Sequence, residues 1–250
     1  MKHTLRTILY LGFLSSIFTP ISLMATSLRV HVTSAHEQFV RNENLIITLS
    51  IENLGESAFI IDDYGDYQKN KIEVFLKHPK NGYLPIKEGE PFENVMVMPK
   101  SEQTFKIDLQ RWFSNMKEGS YFLQILVHKD KEVTLSNIIK FEIVSGIIIG
   151  STTRPVSGKD TIARTYTFLY WPREQVEVLF LRVTETPDNK VIGMVQLGNV
   201  LRYEPPKIEF ANNGILIVTH QMTRDILIRT TISSTLSVFD VLKRERLLNK

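Results

Sequence analysis

The chain has 250 residues, of which 43% are hydrophobic, 23% charged and 10% aromatic, with 12 glycines, 10 prolines and a formal net charge of +3. Those proportions exclude a disordered, collagen-like or low-complexity polymer and supply enough apolar material for one large or two modest domains. Cysteine is absent, so no disulfide can brace the fold and no lipid can be attached through a thiol.

Lys2, His3 and Arg6 precede an apolar run from Ile8 to Met24, and Ala25 and Thr26 follow it. A charged start, an apolar middle and a small-residue end are the layout of a secretory signal peptide, with cleavage expected after Ala25. Ser15, Ser16, Pro20 and Ser22 interrupt the run, whereas an uncleaved anchor needs about 20 continuous apolar residues. Residues 1–25 are therefore read as a signal peptide, with membrane contact expected only if that segment is retained. The sequence contains no Asn-x-Ser/Thr acceptor, which together with the missing thiols suits the periplasm or exterior of a bacterium.

The chain from residue 26 to 145 is a series of short alternating runs. Leu28, Val30 and Val32 alternate with polar residues, and so do Leu45, Ile47, Leu49 and Ile51. The pattern continues through Ile72-Val74-Leu76, Val95 to Met98, Phe105-Ile107-Leu109, Tyr121-Leu123-Ile125-Val127 and Ile139-Phe141-Ile143. Period-two alternation with no helical period between the runs predicts an antiparallel β-sandwich. Gly119-Ser120-Tyr121-Phe122-Leu123 opens the most strongly alternating of these runs. It resembles the tyrosine corner of the immunoglobulin-like superfamily, in which a tyrosine near the start of the penultimate strand bonds back to upstream backbone. The resemblance to Ig-like sandwiches of exported bacterial proteins covers residues 28–145. Leu123 stands where antibody domains carry their second cysteine.

Gly146, Gly150, Pro155 and Gly158 fall close together, so residues 146–159 are expected to be a linker. Residues 26–145 carry 14 basic against 17 acidic side chains, and residues 146–250 carry 14 against 10. Arginine is concentrated in the second half, with 9 of its 14 basic residues. Residues 160–250 are predicted to form a second antiparallel β-domain, a sandwich or partly open barrel built of hairpins, with a short basic tail. Its hairpins are expected at 161–171 with 176–184 through Pro172 to Gln175, at 207–210 with 214–220, and at 214–220 with 225–233 through Gln221 to Arg224. Val178 to Leu181 and Ile215 to Val218 are apolar without alternation, as strands covered on both faces would be. The chain is thus expected to be all-β.

Candidate sites follow from these placements. In the hairpin drawn through Gln221 to Arg224, His220 and Asp225 face each other, with Arg229 further along the same face. That is either an acid/base pair or a cross-strand pair stabilising a turn. Asp62, Asp63 and Asp66 offer three carboxylates in five residues to a hard cation, without EF-hand spacing. His31, His36 and Glu37 are the remaining weak metal set. Trp112-Phe113 is read as a plug for one end of the core. Tyr166, Phe168 and Tyr170 share a strand face with Arg164, either as core or as a stacking platform. Arg164 and Arg229 are the first candidates for contacting an anionic partner, because guanidinium pairs bidentately with carboxylate or phosphate.

No Gly-x-Ser-x-Gly elbow, His-Glu-x-x-His or dinucleotide fingerprint occurs, and no cofactor is implied. The expected function is an exported, noncatalytic binding protein whose partner is another protein or an anionic envelope component. The small charge excess of the second half argues against nucleic acid. Two alternatives stand beside it. One is an exported hydrolase built on His220 and Asp225. The other is an assembly-chaperone or protease-inhibitor-like module, which predicts an exposed edge strand or an interdomain cleft lined by paired basic residues.

Overall fold

The computed structural model describes residues 27–61, 70–86, 92, 95–113, 116–156, 159–211, 214–235 and 238–248. The leader and the Asp62, Asp63 and Asp66 cluster lie outside the described residues.

Alternation becomes sheet throughout. The first half contains β1 (Leu28–Ser34), β2 (Gln38–Val40), β3 (Ile46–Asn53), β4 (Phe59–Ile61), β5 (Lys71–His78), β6 (Gly82–Tyr83), β7 (Val95–Val97) and β8 (Ser101–Asp108). A single helical turn, α1 (Leu109–Trp112), then leads to β9 (Gly119–Lys129), β10 (Glu132–Leu135) and β11 (Ile139–Val144). The sheet β1-β3-β8 packs on the sheet β2-β11-β9-β5-β6, with β10 paired to β9 and β4 paired to β7. Inward residues such as Leu28, Ile47, Leu49, Leu76, Leu123 and Ile125 are buried to within 1% and form one continuous core. Within this half β2 runs parallel to β11, with Phe39 opposite Ile143. Tyr121 stacks on Phe141, and its hydroxyl donates to the Lys117 carbonyl at 2.7 Å, so the tyrosine does bond back to upstream backbone. Phe113 is buried in the core and Trp112 packs edge-on against Phe92, closing that end of the sandwich.

The second half contains β12 (Ile147–Val156), β13 (Lys159–Arg173), β14 (Val176–Glu185), β15 (Lys190–Asn199), β16 (Lys207–Phe210), β17 (Ile215–Thr223), β18 (Ile226–Thr235) and β19 (Val238–Leu248). They form two antiparallel meanders, β12-β13-β14-β15 and β16-β17-β18-β19. Tyr166, Phe168, Tyr170, Leu179, Leu181, Leu216, Val218 and Ile232 fill the space between these sheets. The fold is all-β.

Four local expectations need correction. Residues 146–159 are not a linker: Ile147–Val156 is a strand that is hydrogen-bonded along β13. The basic C-terminal segment is not a tail, because Val238–Leu248 pairs with β18 from Thr235↔Val238 to Ile226↔Leu248. The β13–β14 turn is the two residues Glu174 and Gln175, with Glu174 at φ +50°. Pro172 sits in β13 itself, past Tyr170 where β12 has ended, so its missing N–H costs no ladder bond. Finally, β14 is buried on both faces but β17 is not. Leu179 and Leu181 enter the core, while Val178 and Phe180 join Val40 and Leu169 in a second cluster between the two halves. In β17, Leu216 and Val218 are buried and Ile215 and Ile217 are only half-buried, because nothing among the described residues covers that face as the first half covers β14.

Candidate functional site

A groove of about 930 Å³ lies where the two halves meet. One wall is the crossover from β1 to β2. After Ser34 the chain leaves the first sheet, turns with the Ser34 hydroxyl donating to the His36 carbonyl at 2.7 Å, and joins the opposite sheet beside β11. Asn137 fixes this crossing. Its carbonyl oxygen accepts from the Val32 N–H at 2.8 Å, and its amide donates to the Val32 carbonyl at 2.9 Å. One side chain thereby satisfies both backbone groups of Val32 on the open edge of β1, as a neighbouring strand would. The other wall is the tip of the β13–β14 hairpin, where Pro172, Arg173 and Glu174 face the groove.

The walls are held together by three features. Trp171 donates its indole N–H to Gln38 Oε1 at 3.1 Å, and Gln38 donates to Glu142 at 2.8 Å. Val40 and Val144 pack against Leu169, Val178, Phe180, Trp171 and Met194. Glu43 Oε2 accepts from the Val40 N–H and from Arg173 Nη2, forming an ion pair whose side chains are 8% and 7% exposed. Gly146 makes the join possible: it has φ +74°, and a Cβ there would stand 3.1 Å from a Val40 methyl.

Arg173 is only partly satisfied. Its guanidinium lies 5.2 Å from the Phe180 ring centroid, and Nε and Nη1 find no acceptor; a buried donor without a partner costs about 1–3 kcal/mol. His36, edge-on to Phe39, has its pKa lowered, first by burial and then by Arg173, against the opposing pull of Glu43 and Glu174. It is therefore neutral near pH 7. The ionised groups facing the groove besides the Glu43–Arg173 pair are Glu37, Glu142, Glu174 and Lys140.

The structure separates most residues singled out in the sequence. His220 does not face Asp225. A bulge between Gln221 and Thr223 and a two-residue turn at Arg224-Asp225 put His220 opposite Ile228 and Thr219 opposite Arg229. Asp225 is exposed at the turn, while His220 is 2% exposed inside the second half. Its Nε2–H donates to the Asn199 carbonyl at 3.1 Å, Nδ1 has no partner, and burial lowers its pKa to about 4. Arg164 pairs with Glu185 at 2.9 Å on β13, and Arg229 lies on β18 opposite Glu245, so the two arginines belong to different sheets. Tyr166, Phe168 and Tyr170 are core, not an exposed stacking platform. His31, His36 and Glu37 do line the groove, but no group of three metal-ligating side chains forms among the described residues. The charged residues of the groove's lining are three glutamates with Lys140 and Arg173, unlike the paired basic residues foreseen for an interdomain cleft.

Glu43, Asn137, Arg173 and Trp171 had no signal of their own in the sequence. Glu43 and Arg173 sit in turn-like, polar surroundings that read as solvated, and only their partnership across 130 residues makes them structural.

No protein-family model and no curated protein matches the chain. Among solved structures it is similar to Spo0M, a sporulation control protein from Bacillus subtilis, with 8% identity over 89% of this chain and 91% of that one and a TM-score of 0.30. A likeness that loose carries no argument about this chain. No helix among the described residues is long and apolar enough to cross a membrane.

Proposed function

We propose that this chain is an exported, noncatalytic binding protein of the bacterial envelope or exterior, which takes its ligand in the groove between its two halves. The observation that carries this reading is the construction of the groove. Both halves line it, and a buried ion pair, a tryptophan–glutamine bond and an apolar cluster set its walls before any ligand arrives. A pre-formed concavity with a few convergent polar groups is the usual form of a binding site. Binding rather than turnover is supported by the state of the lining groups. The Ser34 hydroxyl is committed to a backbone carbonyl, and His36 sits against Phe39 with Arg173 and Glu174 near it. An immunoglobulin-like assignment for the first half is supported by the parallel β2–β11 pairing and by the Tyr121 to Lys117 bond. Export is supported by Lys2, His3 and Arg6 before the apolar run to Met24, and by the absence of cysteine.

Thr33 is exposed and lines the groove, so Thr33→Trp fills it without touching the core. The immobilised mature chain is expected to retain a species from envelope extracts that Thr33→Trp, unfolding at the same midpoint, releases. Identical retention by both chains, or chemical conversion of the retained species, overturns the reading.

A further inference from the structure

The outer face of the β16–β19 sheet carries its charges in lines that the strand register fixes. Lys207 stands opposite Thr219, Thr219 opposite Arg229 and Arg229 opposite Glu245, so these four cross the sheet together. Two residues along the strands, Glu209, Ile217, Thr231 and Lys243 form the next line. The line between them holds Val218, which is core, and Thr230, which is fully buried, so alternation turns both charged lines outward. The 2.6 Å ion pair between Lys243 and Glu245, two residues apart on β19, agrees with that placement.

The two lines run in opposite sign. The first starts with a cation on β16 and ends with an anion on β19, and the second does the reverse. Three strand spacings, about 14 Å, separate β16 from β19, so neither pair closes within one chain. A twofold axis parallel to the strands, lying over the gap between β17 and β18, sets each line on itself and exchanges β16 with β19. Lys207 then meets Glu245 of the second copy and Glu209 meets its Lys243, each contact made twice. Both lines satisfy the same operation, with Ile217, Thr219 and Thr231 in the middle and the charges toward the rim, as interfaces are arranged. Lys207, Arg229 and Lys243 are balanced by Glu209, Glu245 and Asp240, the last opposite Ser233, so no net charge on this face holds two copies apart.

The β12–β15 sheet has Val178 and Phe180 covered by the first half, whereas no described element covers the outer face of β16–β19. Four strands of about nine residues present enough surface to bury about 1,000 Å² in total between two copies, which is the lower bound for a specific interface. We propose that a second copy of this chain packs there, the two β16–β19 sheets aligned face to face about that axis. The pairing goes beyond the binding reading and leaves the groove open, because the β12–β15 sheet stands between the groove and this face.

Sedimentation equilibrium of the full mature chain tests it. The parent is expected to pass from monomer to dimer as its concentration rises, and to return toward monomer as salt rises. Lys207→Glu sets a carboxylate over Glu245 of the second copy, and Glu245→Lys sets an ammonium over its Lys207. Each is expected to weaken self-association by about ten- to thirtyfold while the circular dichroism of the folded chain stays the same. In an equimolar mixture of the two variants both contacts join opposite charges again, so mixing is expected to restore the dimer. The proposal is overturned if the parent stays monomeric, the face then being open or kept for a different protein, if reversing either charge leaves association unchanged, or if the mixture associates no better than the separate variants.

Discussion

Glu43 and Arg173, 130 residues apart, form an ion pair buried between the two halves of the molecule. Each has a second commitment: Glu43 accepts from the Val40 N–H at 2.9 Å, and the Arg173 guanidinium lies near the face of Phe180. The pair fixes the hairpin tip that walls the groove, so the same contact sets interdomain geometry and the shape of the candidate site.

Removing one partner strands the other charge away from water. Glu43→Ala and Arg173→Met are each expected to destabilise the protein by about 3–5 kcal/mol, whereas the double substitution costs clearly less than the sum. Urea unfolding of the four chains of this cycle measures the coupling. Additive losses would show that the pair is solvated in solution.

Asn137 supplies the hydrogen bonds that a neighbouring strand would otherwise give to Val32. Asn137→Ala uncovers that stretch of β1 and is expected to lower stability by about 1–3 kcal/mol. It also opens a strand edge to other chains. Sedimentation at rising concentration should show the variant associating beyond the parent. A variant that associates no further than the parent would mean that the edge is protected by something other than Asn137.

His220 makes the second half acid-sensitive. Burial depresses its pKa from the ordinary value near 6.5 to about 4, so the unfolded chain binds this proton more readily than the folded one. The stabilisation is complete above about pH 6.5 and is lost as pH falls toward 4, amounting to about 3 kcal/mol in all. His220→Met removes the titrating ring and is expected to flatten stability across that window, at the cost of leaving the Asn199 carbonyl unpaired. Unfolding midpoints measured from pH 7 to pH 4 on both chains decide this; parallel curves would assign the acid loss to other groups.

Gly193 marks a close approach between the two sheets of the second half. A Cβ at this position would stand 2.1 Å from a ring carbon of Phe239, and Phe239 packs against the core of that half. Gly193→Ala is expected to cost about 1–3 kcal/mol through displacement of the ring, and Phe239→Leu in the same chain should recover part of it. Thermal unfolding of the single and double variants reads the coupling, which vanishes if β15 and β19 do not approach in solution.

That the described chain is built of strands was legible in the order of its residues, because period-two alternation in runs such as Leu45 to Ile51 and Tyr121 to Val127 leaves only a sheet with one buried face. The resemblance of Gly119 to Leu123 to a tyrosine corner also pointed to the hydrogen bond of Tyr121 to upstream backbone. The remaining relationships exist only in the folded molecule. The position of His220 turned on a bulge and a two-residue turn, and a shift of a few residues along a hairpin changes every partner across it. Glu43 and Arg173 became a pair only because β14 presents Val178 and Phe180 to Val40 across the junction. Local patterns specify which face of a strand is apolar, but which other surface comes to cover it, and which charges are carried along and buried there, depends on contacts between residues far apart in the chain.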